Sequence, residues 1–157
     1  MLDRVQIEWA ALQDVISHLS DEQLTAPGPA VWSVKDHLAH IADWERGCTA
    51  VLAHRSQAEA FGLDAETYRR LTPDIDGMND ALFQRHRSES IAEVKAIANA
   101  AHAEMVAALS HLADADLRRP VSEYGMTTSG DRPLLEKIAG DTYEHYAEHT
   151  GWIKAFV

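Results

Sequence analysis

Histidines at positions 145 and 149, in the stretch Asp141-Thr-Tyr-Glu-His-Tyr-Ala-Glu-His149, are four residues apart. On a helix that spacing puts both imidazoles on one face, roughly 6 Å apart. A third imidazole is offered by His40, which closes the stretch Trp32-Ser-Val-Lys-Asp-His-Leu-Ala-His40. Three neutral imidazoles can hold a divalent cation and leave one position open to water or substrate, the arrangement that catalytic metal sites use. Such donors suit zinc and nickel first, with iron, cobalt and manganese as further candidates. The stretch is not the zincin pattern, because Tyr146 stands where a glutamate would follow the first histidine.

Two acids lie within reach of that trio. Asp141 comes one turn before His145, and Asp43 three residues after His40. Either could orient an imidazole through its second nitrogen, accept a proton from a metal-activated group, or supply a fourth ligand; the alternative for each is a solvated carboxylate. His37 competes with His40 from a neighbouring position of the same helix. His40 is preferred because it leads directly into Ile41, Trp44 and the apolar stripe. His18, His54, His86, His102 and His111 fall near helix ends or on polar stretches and read as solvated. Cys48, two turns beyond His40, reads as a buried small apolar residue, with no base beside it in sequence to activate the thiol. Trp9, Trp32, Trp44 and Trp152 read as core aromatics, with Trp44 placed to wall a pocket near the metal.

Helices must position these groups. Leu2, Val5, Trp9, Leu12, Ile16 and Leu19 recur at three- and four-residue steps and predict a first helix ending near Ser20. Pro27, Gly28 and Pro29 follow. Ser33, with Asp36 three residues on, is a capping-box variant that opens a second helix running to about His54. Residues 55 to 72 are weakly periodic. A short helix is expected over Met78 to His86, then a long alanine-rich one from Ser90 to His111. A loop from Pro120 to Arg132 carries Gly125, Gly130 and a hydroxyl run, and Pro133 suits the first turn of a last helix reaching about Ala155.

No segment alternates as a strand would. A faint repeat pairs His18-Leu-Ser-Asp-Glu-Gln-Leu-Thr-Ala-Pro27 with His111-Leu-Ala-Asp-Ala-Asp-Leu-Arg-Arg-Pro120, each after one long helix and before the next. The expectation is an all-α four-helix bundle, one domain over residues 1 to 157, with a short extra helix between the second and third. The candidate ligands fall on the second and fourth helices, which the repeat makes equivalent.

Composition narrows the function classes. A chain of 157 residues, 46% of them hydrophobic, can bury roughly 70% of its unfolded surface without staples, so a metal would serve chemistry more than folding. With 14 basic residues against 25 acidic ones, the net charge of −11 disfavours nucleic acid and anionic membranes as partners. One cysteine permits no internal disulfide, and neither a secretory signal nor a run of roughly 20 apolar residues is evident. A cytoplasmic protein acting on a small molecule is the expectation.

The same residues resemble a known family. Trp32-Ser-Val-Lys-Asp-His-Leu-Ala-His-Ile-Ala-Asp-Trp-Glu45 is similar to the second-helix motif of the DinB-like, or YfiT-like, superfamily of metal-binding four-helix bundles, its metal histidine matching His40. Tyr143-Glu-His-Tyr-Ala-Glu-His-Thr-Gly-Trp152 resembles the family's last-helix motif, with the paired metal histidines matching His145 and His149. The likeness follows the helix order along nearly the whole chain. Asp74-Ile-Asp-Gly-Met-Asn-Asp80 and the second-helix motif also resemble the ClbS/DfsB branch, some of whose members protect cells against reactive natural products.

Family members include thiol transferases and a thiol-dependent isomerase, in which the metal is thought to activate a thiol as thiolate. The resemblance therefore implies a metal-dependent transferase or hydrolase of small electrophiles in detoxification or stress response, with a thiol cosubstrate. A noncatalytic protein that sequesters a metal or small molecule, and a bundle whose helix faces serve mainly to form a homodimer, are the competing readings.

Overall fold

The computed structural model describes residues 1–29, 31–126 and 130–157. The hydroxyl run Thr127, Thr128 and Ser129 of the expected loop lies outside the described residues. In chain order the helices are α1 (Leu2–Ser17), α2 (Asp21–Thr25), α3 (Val34–Leu52), α4 (Gln57–Ala60), α5 (Ala65–Leu71), α6 (Ile75–His86), α7 (Ile91–Ser110), α8 (Leu134–Asp141) and α9 (Tyr143–Lys154). Two 3₁₀ turns, Asp116–Arg118 and Val121–Tyr124, precede α8. Among the described residues the fold is all-α, with one isolated bridge between Pro120 and Pro133. None of those helices is long and apolar enough to cross a membrane.

Local sequence sets the helix starts. The Ser33 hydroxyl accepts the Asp36 amide, and the Asp36 carboxylate accepts the Ser33 amide at 2.9 Å. Ser90 and Glu93 repeat the device at α7, and each such cap stabilises a helix by about 1 kcal/mol. The Ser20-Asp-Glu-Gln23 segment does more than end α1: it caps a helix of its own, α2, by the same reciprocal bonds. Three short helices, α4, α5 and α6, stand where one was expected, because Ser56, Asp64 and Asp74 each accept amides at a new N-terminus.

The last helix is also not continuous. At Thr142 (φ −129°, ψ −107°) it divides into α8 and α9. The Thr142 hydroxyl donates to the Ile138 carbonyl at 2.5 Å, and its amide turns to Ala139 rather than one residue further back. A β-branched residue bonding its own preceding turn in this way bends a helix.

α3 packs chiefly on α7, and α1 on α9. Alanines 98 and 101 on α7, both buried, let α3 approach closely. Val5, Leu12 and Ile16 from α1 meet Leu38 and Ile41 from α3 and Tyr146 and Ile153 from α9 in one core, each large side chain contributing about 1.5–3 kcal/mol of burial. A smaller cluster of Phe61, Leu71, Met78 and Leu82 holds the short helices against α3 through Trp44.

One polar network crosses the core. Glu45 on α3 is fully buried; it accepts from the Tyr146 hydroxyl of α9 and pairs with His102 Nδ1 of α7 at 2.9 Å. His102 stacks on Trp9 of α1, ring centres 4.1 Å apart. The sequence reading of His102 as solvated is thus corrected: its partners come from three other helices, invisible to local pattern.

Gly47 explains how α4 lies so close to α3. A Cβ there would meet the buried Phe61 ring at 2.5 Å and the Gln57 side chain at 2.9 Å. Glycine to alanine within an exposed helix gains about 1 kcal/mol, whereas overpacking a core costs about 1–3 kcal/mol. Gly47→Ala is therefore expected to lower stability in urea denaturation by about 1 kcal/mol or more. An increase would show that Phe61 moves aside freely.

Candidate metal centre

His40 sits near the middle of α3, while His145 and His149 occupy successive turns of α9 beyond the Thr142 break. The structure brings all three together. Nε2 of His145 lies 3.0 Å from Nε2 of His40 and 3.0 Å from Nε2 of His149, and all three ligand atoms fall within 4.8 Å of one another. Ligand nitrogens around a tetrahedral ion are about 3.4 Å apart, given bonds of roughly 2.1 Å. The three histidines are thus spaced to hold a metal ion.

Hydrogen bonding alone does not account for this geometry. An imidazole Nε2 has a single in-plane site, occupied either by a proton or by a lone pair. Nε2 of His145 faces two like atoms at 3.0 Å, and one in-plane site makes at most one linear N–H···N bond. A cation at the point of convergence uses all three lone pairs at once.

Protonation states agree with that role. Burial pushes His40 well below its ordinary value, and the neighbouring His145 and His37 add to the effect. Burial, with Lys137 next, lowers His145 to about 4. Burial also pushes His149 far down, reinforced by His145, His40 and His37. All three are neutral at pH 7, the form that binds metal.

His37 does not compete for the site. Its Nδ1 lies 2.7 Å from Nδ1 of His149, so it bonds the nitrogen of His149 that faces away from the convergence. With His149 Nδ1 as donor and His37 Nδ1 as acceptor, the Nε2 lone pair of His149 is left free, a partnership typical of metal-binding histidines. Trp32 covers His40 at 4.9 Å, and Trp152 stands edge-on to His149 at 4.7 Å. Trp152 was expected in the core; it is 49% exposed, because the helix turn that carries His149 inward leaves position 152 at the rim.

The two aspartates have different surroundings. The Asp43 carboxylate is fully buried and pairs with His86 Nε2 at 2.9 Å, with Arg85 at 3.8 Å, while Nδ1 of His40 has no hydrogen-bond partner among the described residues. His86, read from sequence as solvated, is buried between Asp43 and Glu89. The hydrogen bond that its Nε2 donates to the Asp43 carboxylate holds it above the ordinary histidine range. Asp141 instead forms a buried ion pair with Lys137 and lines the cavity onto which His40 and His145 open. That cavity, of about 240 Å³, is bounded by His40, His145, Trp44, Ile75, Asn79 and Asp141. Burial raises the Asp141 carboxyl above the usual range despite Lys137. Cys48 is fully buried, as the sequence suggested, and burial, with Asp141 next, pushes its thiol up.

A family model described as the DinB superfamily matches residues 4–152. No curated protein matches the chain.

The depressed imidazoles make acid sensitivity predictable in the metal-free protein. Unfolded, a histidine takes up a proton near pH 6.5; folded, His145 refuses it until about pH 4. Between those values the unfolded state binds more protons, so stability falls as pH falls. Urea midpoints of metal-free protein are expected to drop more steeply over this window than those of His145→Asn. Parallel curves would mean that the folded site accommodates the charge.

Proposed function

The chain belongs to the DinB superfamily, and from that premise we propose that it is a metal-dependent enzyme, a thiol-dependent transferase or hydrolase acting on small electrophiles in detoxification or stress response. The observation that carries this reading is the meeting of three Nε2 atoms beside a cavity that His40 and His145 line. His40, His145 and His149 are the proposed ligands, and zinc or nickel the proposed ions, by the chemistry of three imidazole donors.

When bound, the metal would supply a Lewis acid able to lower the pKa of a thiol or water in its open position. The chain's own residues do the rest. Buried neutral imidazoles present lone pairs without a competing proton, and His37 fixes the orientation of His149. Asp141 is the proposed acid and base: its carboxylate faces the cavity, with one oxygen held by Lys137. Its raised pKa makes it a better proton acceptor than a free aspartate. Asp43, bonded to His86, is proposed to anchor α6 against α3 behind the site. Trp32 and Trp44 shield His40 from bulk water. An ionisable group beside an accessible cavity favours catalysis over sequestration, since storage needs no proton acceptor at the ligand's edge.

Untagged protein is expected to contain close to one divalent metal per chain by elemental analysis, and His145→Ala to contain almost none. His37→Ala should keep the metal but bind it about 10- to 100-fold more weakly in chelator competition. Metal absent from both wild type and variant would remove the basis of the reading.

A further inference from the structure

Beside the histidine cavity lies a second and much larger one, of about 1120 Å³. The two share Trp44, Ile75 and Asp141 as lining residues. A volume of this size holds a whole drug-sized molecule, far more than a thiolate or a water requires.

The charge on its lining runs against that of the chain. The protein carries a net charge of −11, yet Arg55, Arg69, Arg132 and Lys137 all line this cavity against only Glu123 and Asp141 among its described residues. Both acids are already engaged, Glu123 by Arg119 at 2.6 Å and Asp141 by Lys137. No described acid pairs with Arg55, Arg69 or Arg132. The three come from separate segments: the turn after α3, the last turn of α5 and the residues before α8. Between them the lining is aromatic and apolar, with Phe61, Tyr68, Tyr124 and Met78. Local positive charge in a concave site of an otherwise acidic protein attracts anions and repels cations, and guanidinium groups suit carboxylate and phosphate geometry.

We propose that this cavity binds an amphiphilic organic anion, a carboxylate or phosphate on an aromatic or aliphatic body, with the anionic head on Arg55, Arg69 and Arg132 and the body extending toward the histidines. That the body carries the reacting centre rests on the metal-enzyme reading; that the arginines select an anion does not. The arrangement names a substrate class for the site: a molecule whose charged end is remote from the bond that changes.

The test compares three ligands with one aromatic body, 2-naphthoate, 2-naphthyl phosphate and the neutral 2-naphthamide, by titration calorimetry on the full chain. At least one anion is expected to bind about 10-fold or more tightly than the amide, as charge-assisted bonds to arginine predict. In Arg55→Gln/Arg69→Gln, and separately in Arg132→Gln, that advantage should shrink while amide affinity and thermal midpoint stay unchanged; these exposed side chains contribute little to the core. The anion preference should survive in His145→Ala. Equal affinity for all three ligands, or indifference to the arginine variants, would overturn the proposal. Anion binding lost in His145→Ala with the arginines intact would overturn it too, by placing the anion on the metal, and would leave the metal reading standing. Arginine-dependent binding in a protein that holds no metal would sustain the anion site and sink the enzyme reading.

Discussion

The rotation of α9 against α3 is the constraint on which the site depends. Two buried contacts fix it from either side of the histidine cluster: the Tyr146 hydroxyl on Glu45, and His37 on His149. Tyr146 directly follows His145 in sequence, so a helix rotation that broke the bond to Glu45 would also swing His145 out of line. A partly satisfied buried network is costly, because a buried carboxylate that loses a donor loses free energy comparable to its desolvation. The bundle thus has one low-energy rotation of α9, and that rotation brings the nitrogens together.

The break at Thr142 complements this. An unbroken helix from Pro133 would carry the phase of α8 straight into α9; the divided one sets the two halves independently. α8 keeps Ile138 and Leu134 in the core and Asp141 beside Lys137, while α9 turns His145 and His149 toward α3. Asp141 and His145 come to line the same small cavity from two helices rather than one. Burial then works on each group according to its charge: it holds the imidazoles neutral and ready to bind metal, and makes the carboxyl a stronger base.

Much of this was legible in the sequence because it is local. The i, i+4 spacing of His145 and His149, the Ser33–Asp36 cap that sets the phase of α3, and the apolar stripe running past His40 each need fewer than ten residues to be read, and together they separate His40 from His37. The interior networks were not legible. Glu45 finds His102 57 residues away and Tyr146 101 residues away, and Asp43 finds His86 43 residues away. Histidines at helix ends look alike in sequence whether they meet water or a buried acid. The short helices α4 and α5 were hidden for another reason: each is too brief for a period to emerge, and only the capping residues Ser56 and Asp64 mark them. The Thr142 break left no mark, since threonine bends some helices and sits harmlessly in others.

The most direct test of the account is an anomalous-scattering crystal experiment on untagged protein, collected on both sides of the absorption edge of its native metal. One strong anomalous peak is predicted, about 2.1 Å from Nε2 of His40, His145 and His149, with a remaining coordination position open to the cavity that Asp141 lines. A peak elsewhere, or no peak together with imidazoles rotated away from one another, would contradict it.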